Sequence, residues 1–380
     1  MKPIIGVTLL LLVLALAGTG AWVALRQRQE APAPVVPACD RHDYGLGDES
    51  RIIDIATQPS DLCPAFISEC LFHDRILQNQ LAASGWTLRE HRFSSGKDIV
   101  PYCDGRLEAM FMGDFPALVA MASHNVGIFA ITSHGYDTII ASRVRTPAEL
   151  KGLRIGYPPG SSARFTLERA LAIANLAFSD IISVPLQPND LEASLREHRV
   201  DAVIAWEPTA SRIFVNIAGS HPVFRSETFT YIALDLDFCT RQPTLAKALL
   251  AALVRATRWG SQNEKNLFSG LHWMREGELA FAGASAIETN GKWVATLRKE
   301  GIDGPSFPML PLDLAAPLGR FHRQFQYLQF MGSLEATQTW NRIVSAINFT
   351  ELPEIIRNGN KWRIDSFNYA PTKLIKHNKD

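Results

Sequence analysis

Leu150-Lys151-Gly152-Leu153-Arg154-Ile155-Gly156-Tyr157-Pro158-Pro159-Gly160-Ser161-Ser162 reads as a strand, a tight turn and the opening of a helix. Residues 153–157 have the apolar run of a buried strand, Gly160 permits the turn, and a helical pattern follows over 161–175. Ser161 and Ser162 place hydroxyls and free backbone N–H groups at the positive end of that helix. Such an end binds carboxylate, sulfonate, nitrate or phosphate oxygens. Serine is also a common N-cap, so a capped turn with nothing bound accounts for the same residues.

The alternation extends outward on both sides. Residues 51–56, 86–93, 108–112 and 126–132 read as strands, with helices over 64–83 and 115–123. Thr146 as cap and Pro147 in the first turn open a short helix. Further strands follow at 181–185, 201–206 and 229–234, with a short helix at 190–198. Strands that alternate with helices argue for an α/β fold with a parallel sheet. Beyond Thr240 the pattern is helical, over 243–260, 264–275, 284–300, 312–330 and 335–347.

Ligands of open α/β sheets sit at the C-terminal ends of strands. Gly113-Asp114-Phe115-Pro116 stands at one such end, where Gly113 lets a ligand approach the backbone and Asp114 is placed to cap the helix over 116–123. Trp206-Glu207-Pro208 stands at another. A carboxylate beside an aromatic ring suits an amine or amidine, although a helix start favours glutamate for its own sake. Gln58, after the first strand, offers an amide that bonds in either direction.

Together these residues resemble the periplasmic solute-binding proteins of the nitrate, taurine and aliphatic-sulfonate importer group, which includes binders of pyrimidine precursors. The resemblance rests on Gly105-Arg106-Leu107-Glu108-Ala109 through Gly113-Asp114-Phe115-Pro116-Ala117-Leu118, on Glu149-Leu150-Lys151-Gly152 through Pro159-Gly160-Ser161-Ser162, and on 190–208. It spans about 51–260, and its most specific block is the Lys-Gly to Pro-Gly-Ser-Ser stretch. It implies a two-lobed periplasmic-binding-protein-like type II fold with a helical C-terminal part, which captures ligand in a hinge cleft. Gln58, Gly113, Asp114, Ser161, Ser162 and Glu207 become the expected ligand contacts. The implied partners are a small anionic or zwitterionic ligand and the permease and ATPase subunits of an ABC importer. No cofactor is implied. Where Glu207 stands, the group commonly has aspartate.

The expected domain plan is a membrane segment over 1–25, a linker over 26–50, lobe I over 51–142, lobe II over 143–235, and a return to lobe I with helices over 236–380. Ile4 to Leu25 is an uncharged apolar run, about 33 Å long as a helix and enough to cross a bilayer core. Its length favours an uncleaved anchor, while Ala15-Leu16-Ala17 offers a signal cleavage site. Ala31-Pro32-Ala33-Pro34-Val35-Val36-Pro37 then predicts an extended spacer. Arg26 and Arg28 alone would hold the far end in the cytoplasm. The resemblance to exported proteins places it instead on the periplasmic or extracellular face of the plasma membrane.

Thirty-eight basic residues balance 38 acidic ones, which disfavours nucleic acid as a partner. No GxxxxGK[ST], GxSxG or HExxH motif is present and the histidines are scattered, so neither an enzyme nor a metal site is expected. Five cysteines, at 39, 63, 70, 103 and 239, leave at least one unpaired, and Cys103 is open to a bridge with Cys63 or Cys70. A membrane-anchored sensory or accessory protein is the competing reading.

Overall fold

Ile52–Thr57 (β1) is buried along its whole length, as a strand covered on both faces must be. The computed structural model describes residue 46 and residues 50–304, 307–371 and 373. The apolar run at 4–25, the proline-rich stretch at 31–37 and Cys39 lie outside the described residues. Among the described residues no helix is long and apolar enough to cross a membrane.

The helix expected over 64–83 is two helices, Leu62–His73 (α1) and Arg75–Ala83 (α2). Asp74 makes the break. Its carboxylate accepts from the Ile76 and Leu77 N–H groups, 2.8 and 3.2 Å away, and so caps α2. Its other oxygen accepts from Arg255 Nε at 2.7 Å, with both side chains fully buried. A buried ion pair and a cap together outweigh the continuity of the apolar pattern. Every residue of α1 is buried, so this helix is a core element rather than an amphipathic cover.

Thr87–Arg92 (β2), Ala109–Gly113 (β3), Asp114–Ser123 (α3) and Val126–Ala141 (β4) follow. Then come Arg154–Tyr157 (β5), Ser162–Ile173 (α4), Ile182–Pro185 (β6), Leu191–Arg196 (α5), Ala202–Ala205 (β7), Thr209–Asn216 (α6) and His221–Asp235 (β8). The strands form one eight-stranded sheet in the order β2-β1-β3-β8-β4-β7-β5-β6. Its two flanks are parallel, at β2-β1-β3 and at β7-β5-β6. The centre is antiparallel, which corrects the expectation of a parallel sheet.

That centre is a long ribbon of β4 and β8, in register from Val126↔Asp235 to Ala141↔His221 with three irregularities. The sequence shows only the apolar ends of these strands. Ser133-His134-Gly135-Tyr136-Asp137 interrupts the apolar pattern of β4, yet the backbone stays extended through it. Polar residues are tolerated there because the ribbon passes beside a cavity rather than through a core. Among the described residues a large apolar core holds α1, β1 and C-terminal helices, and smaller ones flank the β5–β7 half of the sheet.

After β8 the chain is helical, with Leu236–Arg241 (α7), Pro243–Gln262 (α8), Glu264–Ala282 (α9), Gly291–Leu297 (α10), Arg320–Phe330 (α11), Trp340–Ser345 (α12) and Glu351–Arg357 (α13). Several are shorter than the sequence pattern implied. Asn290 caps α10 by accepting from Lys292 N at 3.0 Å and Trp293 N at 3.1 Å, so that helix starts seven residues after 284. Pro317 and Gly319 delay α11 to Arg320, and Thr339 caps α12. Phe66 of α1 fills the space over two glycines, since a Cβ at Gly270 would come 2.2 Å from its ring. Cys63, Cys70, Cys103 and Cys239 are free thiols, so the bridge considered for Cys103 is absent among the described residues.

Candidate ligand-binding site

Gln58, Gly113, Asp114, Ser161, Ser162 and Glu207 all line one cavity of about 690 Å³, solvent-facing space included. They reach it from the ends of β1, β3, β5 and β7, as strand-end geometry in an α/β sheet requires. The β4–β8 ribbon forms the floor, with Ser133, Gly135, Tyr136 and Asp137 from one strand and Thr228 and Thr230 from the other. Phe115, Tyr136 and Trp206 supply the aromatic wall.

One of these side chains does not do what the sequence implied, in that Asp114 is not a helix cap. Asp114 is the first residue of α3 and does not cap it; Gly113 occupies the N-cap position. The Asp114 carboxylate is 1% exposed and turned toward the ribbon and the C-terminal helices. Tyr231 OH donates to its Oδ1 at 2.8 Å, and Thr228 Oγ1, Phe229 N and Gln324 Nε2 each donate to Oδ2 at 3.2 Å. Arg320 of α11 completes the set with an ion pair. So many directed donors hold a buried anion more firmly than the N–H groups of one helix turn. Ser162, the first residue of α4, lies beside Asp137 and pulls its carboxyl down.

Ser161 is a true N-cap. Its hydroxyl donates to Pro158 O at 2.7 Å and accepts from Ala163 N at 3.3 Å. Gly160 adopts φ +77°, a left-handed conformation that glycine alone takes without strain. A Cβ at Gly160 would lie 3.4 Å from Lys97 Cδ, so the Lys97 side chain crosses to this turn from the β1–β3 flank. Gln58 donates from Nε2 to Phe111 O at 2.8 Å. Glu207 Oε2 accepts from Ser211 N at 3.0 Å, in the first turn of α6.

Three acidic side chains of the wall escaped the sequence reading: Asp61, Asp137 and Glu300. Burial pushes Asp61 up to about 7. Asp137 is 2% exposed and is raised to about 6 by burial, against bonds from Ser162 and Thr166 that pull it down. Glu300 is raised to about 9, by burial first and then by the Glu207 and Asp61 charges. The one signal for Asp61 was its place before α1; Glu300 gave none, being far along the chain. Glu207 and Asp61 act on Glu300, so these three form an acidic pole of the cavity, while Asp137 puts a fourth carboxyl beside Ser162 at the Gly160–Ser162 turn near Lys97.

None of the described thiols is poised for nucleophilic work. Burial raises Cys63 and Cys70 well above the ordinary range and Cys103 and Cys239 to about 12. Among the described residues no His, Cys, Asp and Glu group is arranged to hold a metal ion.

Comparison with known proteins bears on the fold. A protein of Brucella abortus assigned as a binding protein is 28% identical over 169 residues, covering 42% of this chain and 52% of that protein. The chain thus spans about half the length of the curated relatives it matches. The periplasmic aliphatic sulphonate binding protein SsuA of Escherichia coli shares the fold, with a TM-score of 0.59 at 18% identity over 78% of this chain and 92% of that one. The periplasmic nitrate-binding protein NrtA of Synechocystis does so at 0.56 and 12% identity, over 85% of this chain and 92% of its own. The desulfurization enzyme DSZB also has this fold, at 0.54 and 15% identity over 81% and 99%. Residues 113–267 match the NMT1-like family, and the chain around them has the fold of the periplasmic sulfonate-binding and nitrate-binding proteins.

Proposed function

We propose that this chain is the extracytoplasmic solute-binding protein of an ABC importer, which captures a small zwitterionic ligand by closure of two lobes, 51–142 and 143–235, and offers it to a permease and its ATPase. The observation that carries this reading is the convergence of six strand-end residues from separate segments on one cavity beside the β4–β8 ribbon. An anionic group of the ligand faces Ser161 and the first turn of α4, where backbone donors and the helix dipole favour negative charge. The acidic pole takes a positive group, so an aminosulfonate such as taurine fits better than nitrate, which Glu207 would repel. The match to NMT1-like proteins and the shared fold of the sulfonate and nitrate binders support the transport role. The raised thiols favour a binder over an enzyme of the cysteine type. In this reading the apolar run at 4–25 anchors the protein to the plasma membrane.

The test is a thermal-shift screen of the purified full-length chain against sulfonates, aminosulfonates, nitrate, polyamines and pyrimidines. A saturable rise in melting temperature is expected for one class, growing with ligand concentration over Kd. Silence from a folded, monodisperse sample would overturn the reading in favour of a sensory or accessory protein.

A further inference from the structure

Asp61 and Glu300 reach one cavity from distant parts of the chain. Asp61 stands before α1 without capping it, and Glu300 has no hydrogen-bond or ion-pair partner among the described residues. Glu300 is carried on a π-helical turn, Arg298–Ile302, between α10 and the loop that leads to α11. Its carboxylate lies against the floor, since a Cβ at Gly135 would come 2.9 Å from Oε2. Glycine at 135 is thus what lets this side chain in. Around it stand Glu207 and Asp61 as like charges, and Lys299 and Arg225 as exposed cations that form no ion pair with it. Arg225 instead lies over the Tyr136 ring, 5.9 Å from its centroid. The neighbouring Cys63 thiol is raised by burial first and then by Glu300, Asp61 and Glu207.

Both side chains are half-buried, and a carboxylate partly withdrawn from water without a partner is costly. We infer that Asp61 and Glu300 form a subsite for a positively charged nitrogen of the ligand, with Glu207 as the third carboxylate and the Tyr136 and Trp206 rings beside it. This rests on the solute-binding reading and names the chemistry of its ligand: a protonated amine, amidinium or guanidinium. The pair selects the basic end of the ligand and leaves the anionic end to α4. With no basic nitrogen bound, both groups keep the protons that burial favours, Glu300 with its pKa raised to about 9 and Asp61 to about 7.

The experiment compares matched probes by calorimetry on the full-length chain: taurine against isethionate, 2-guanidinoethanesulfonate against ethanesulfonate, and putrescine against butane-1,4-diol. Glu300→Gln and Asp61→Asn are tested beside the wild type. The expected result is a preference of about tenfold or more for each cationic member, reduced by either substitution. Because Gln replaces an unpaired acid, Glu300→Gln should also melt no lower than the wild type, which keeps loss of binding distinct from loss of fold. If probes bind but the uncharged members do as well, or the preference survives both substitutions, the cation subsite is wrong and solute binding stands. If a folded wild-type protein binds no probe in any pair, the subsite and the solute-binding reading fall together.

Discussion

Arg320, on a helix that follows both sheet flanks in sequence, forms an ion pair with Asp114 in the wall of the cavity. The Asp114 side chain is fully buried and that of Arg320 is 15% exposed. The guanidinium also donates to Tyr231 OH at 3.2 Å and lies 4.4 Å from the centroid of the Phe229 ring. The C-terminal helices are thereby tied to the ribbon that floors the site. They act as a structural part of the cavity and are more than a surface addition.

Removing one partner should therefore be severe. Arg320→Ala is expected to cost about 3–5 kcal/mol, because it leaves a buried charge without its counter-ion. Urea denaturation monitored by tryptophan fluorescence measures it. Arg320→Met combined with Asp114→Asn should recover much of that loss; a double variant no better than the single one would show that Asp114 is not held as a charge.

The acidic pole predicts a specific pH dependence. Glu300 is raised to about 9 in the folded state, so the folded protein binds this proton more tightly than the unfolded chain. Its contribution to stability is then greatest at low pH and declines as pH rises from the ordinary glutamate range through about 9. Glutamine does not titrate. The melting-temperature advantage of Glu300→Gln over wild type should grow across that window and level off above it. A constant difference from pH 5 to 9 (roughly the span over which the linkage acts) would contradict the placement of Glu300.

Ligand affinity should move the other way. A guanidinium stays charged throughout this range, so only the protein titrates. Affinity for 2-guanidinoethanesulfonate is expected to rise with pH as Asp61 and Glu300, raised to about 7 and about 9, lose their protons. Calorimetry in buffers of different ionisation enthalpy would register the released protons, and a pH-independent Kd would argue against contact with these groups.

Gly135→Ala tests the floor without touching a charge. The new methyl would meet Glu300 Oε2 at 2.9 Å, and a flexible carboxylate can move aside. Stability should change by about 1 kcal/mol or less, while the preference for cationic probes should fall. Unchanged selectivity in this variant would mean that Glu300 does not need its observed position.

The two serines separate in the same manner. Ser161→Ala removes the N-cap of α4 and should cost about 1 kcal/mol of stability together with affinity for the sulfonate group. Ser162→Ala removes a group that pulls the Asp137 carboxyl down, so that carboxyl should titrate higher still. If Ser161→Ala with Ser162→Ala leaves sulfonate affinity intact, the anionic end of the ligand does not sit at this helix.

The strand-end residues were legible because their signals are local. Gly160 before Ser161 and Ser162, Gly113 before Asp114, and Trp206 beside Glu207 each mark a turn between strand and helix within a few residues. A sheet that alternates strand and helix brings such turns to one edge, and all six named residues do line the cavity. The β4–β8 ribbon was half hidden because its polar middle faces the cavity, so the apolar pattern that identifies a strand fails where the site begins.

By itself the sequence determined the order of most elements, the strand ends that face the cavity, and the largely helical character of the described residues after β8. Tertiary structure alone decided which carboxylates share the cavity and what each one does. Asp114 is claimed by Arg320 from 206 positions away. Glu300 enters the floor opposite a glycine that has no link to it in sequence. Turn and helix-cap preferences act over a few residues and can be read along a chain. Burial, ion pairing and shared electrostatic fields depend on distances in space, which exist only once the chain has folded.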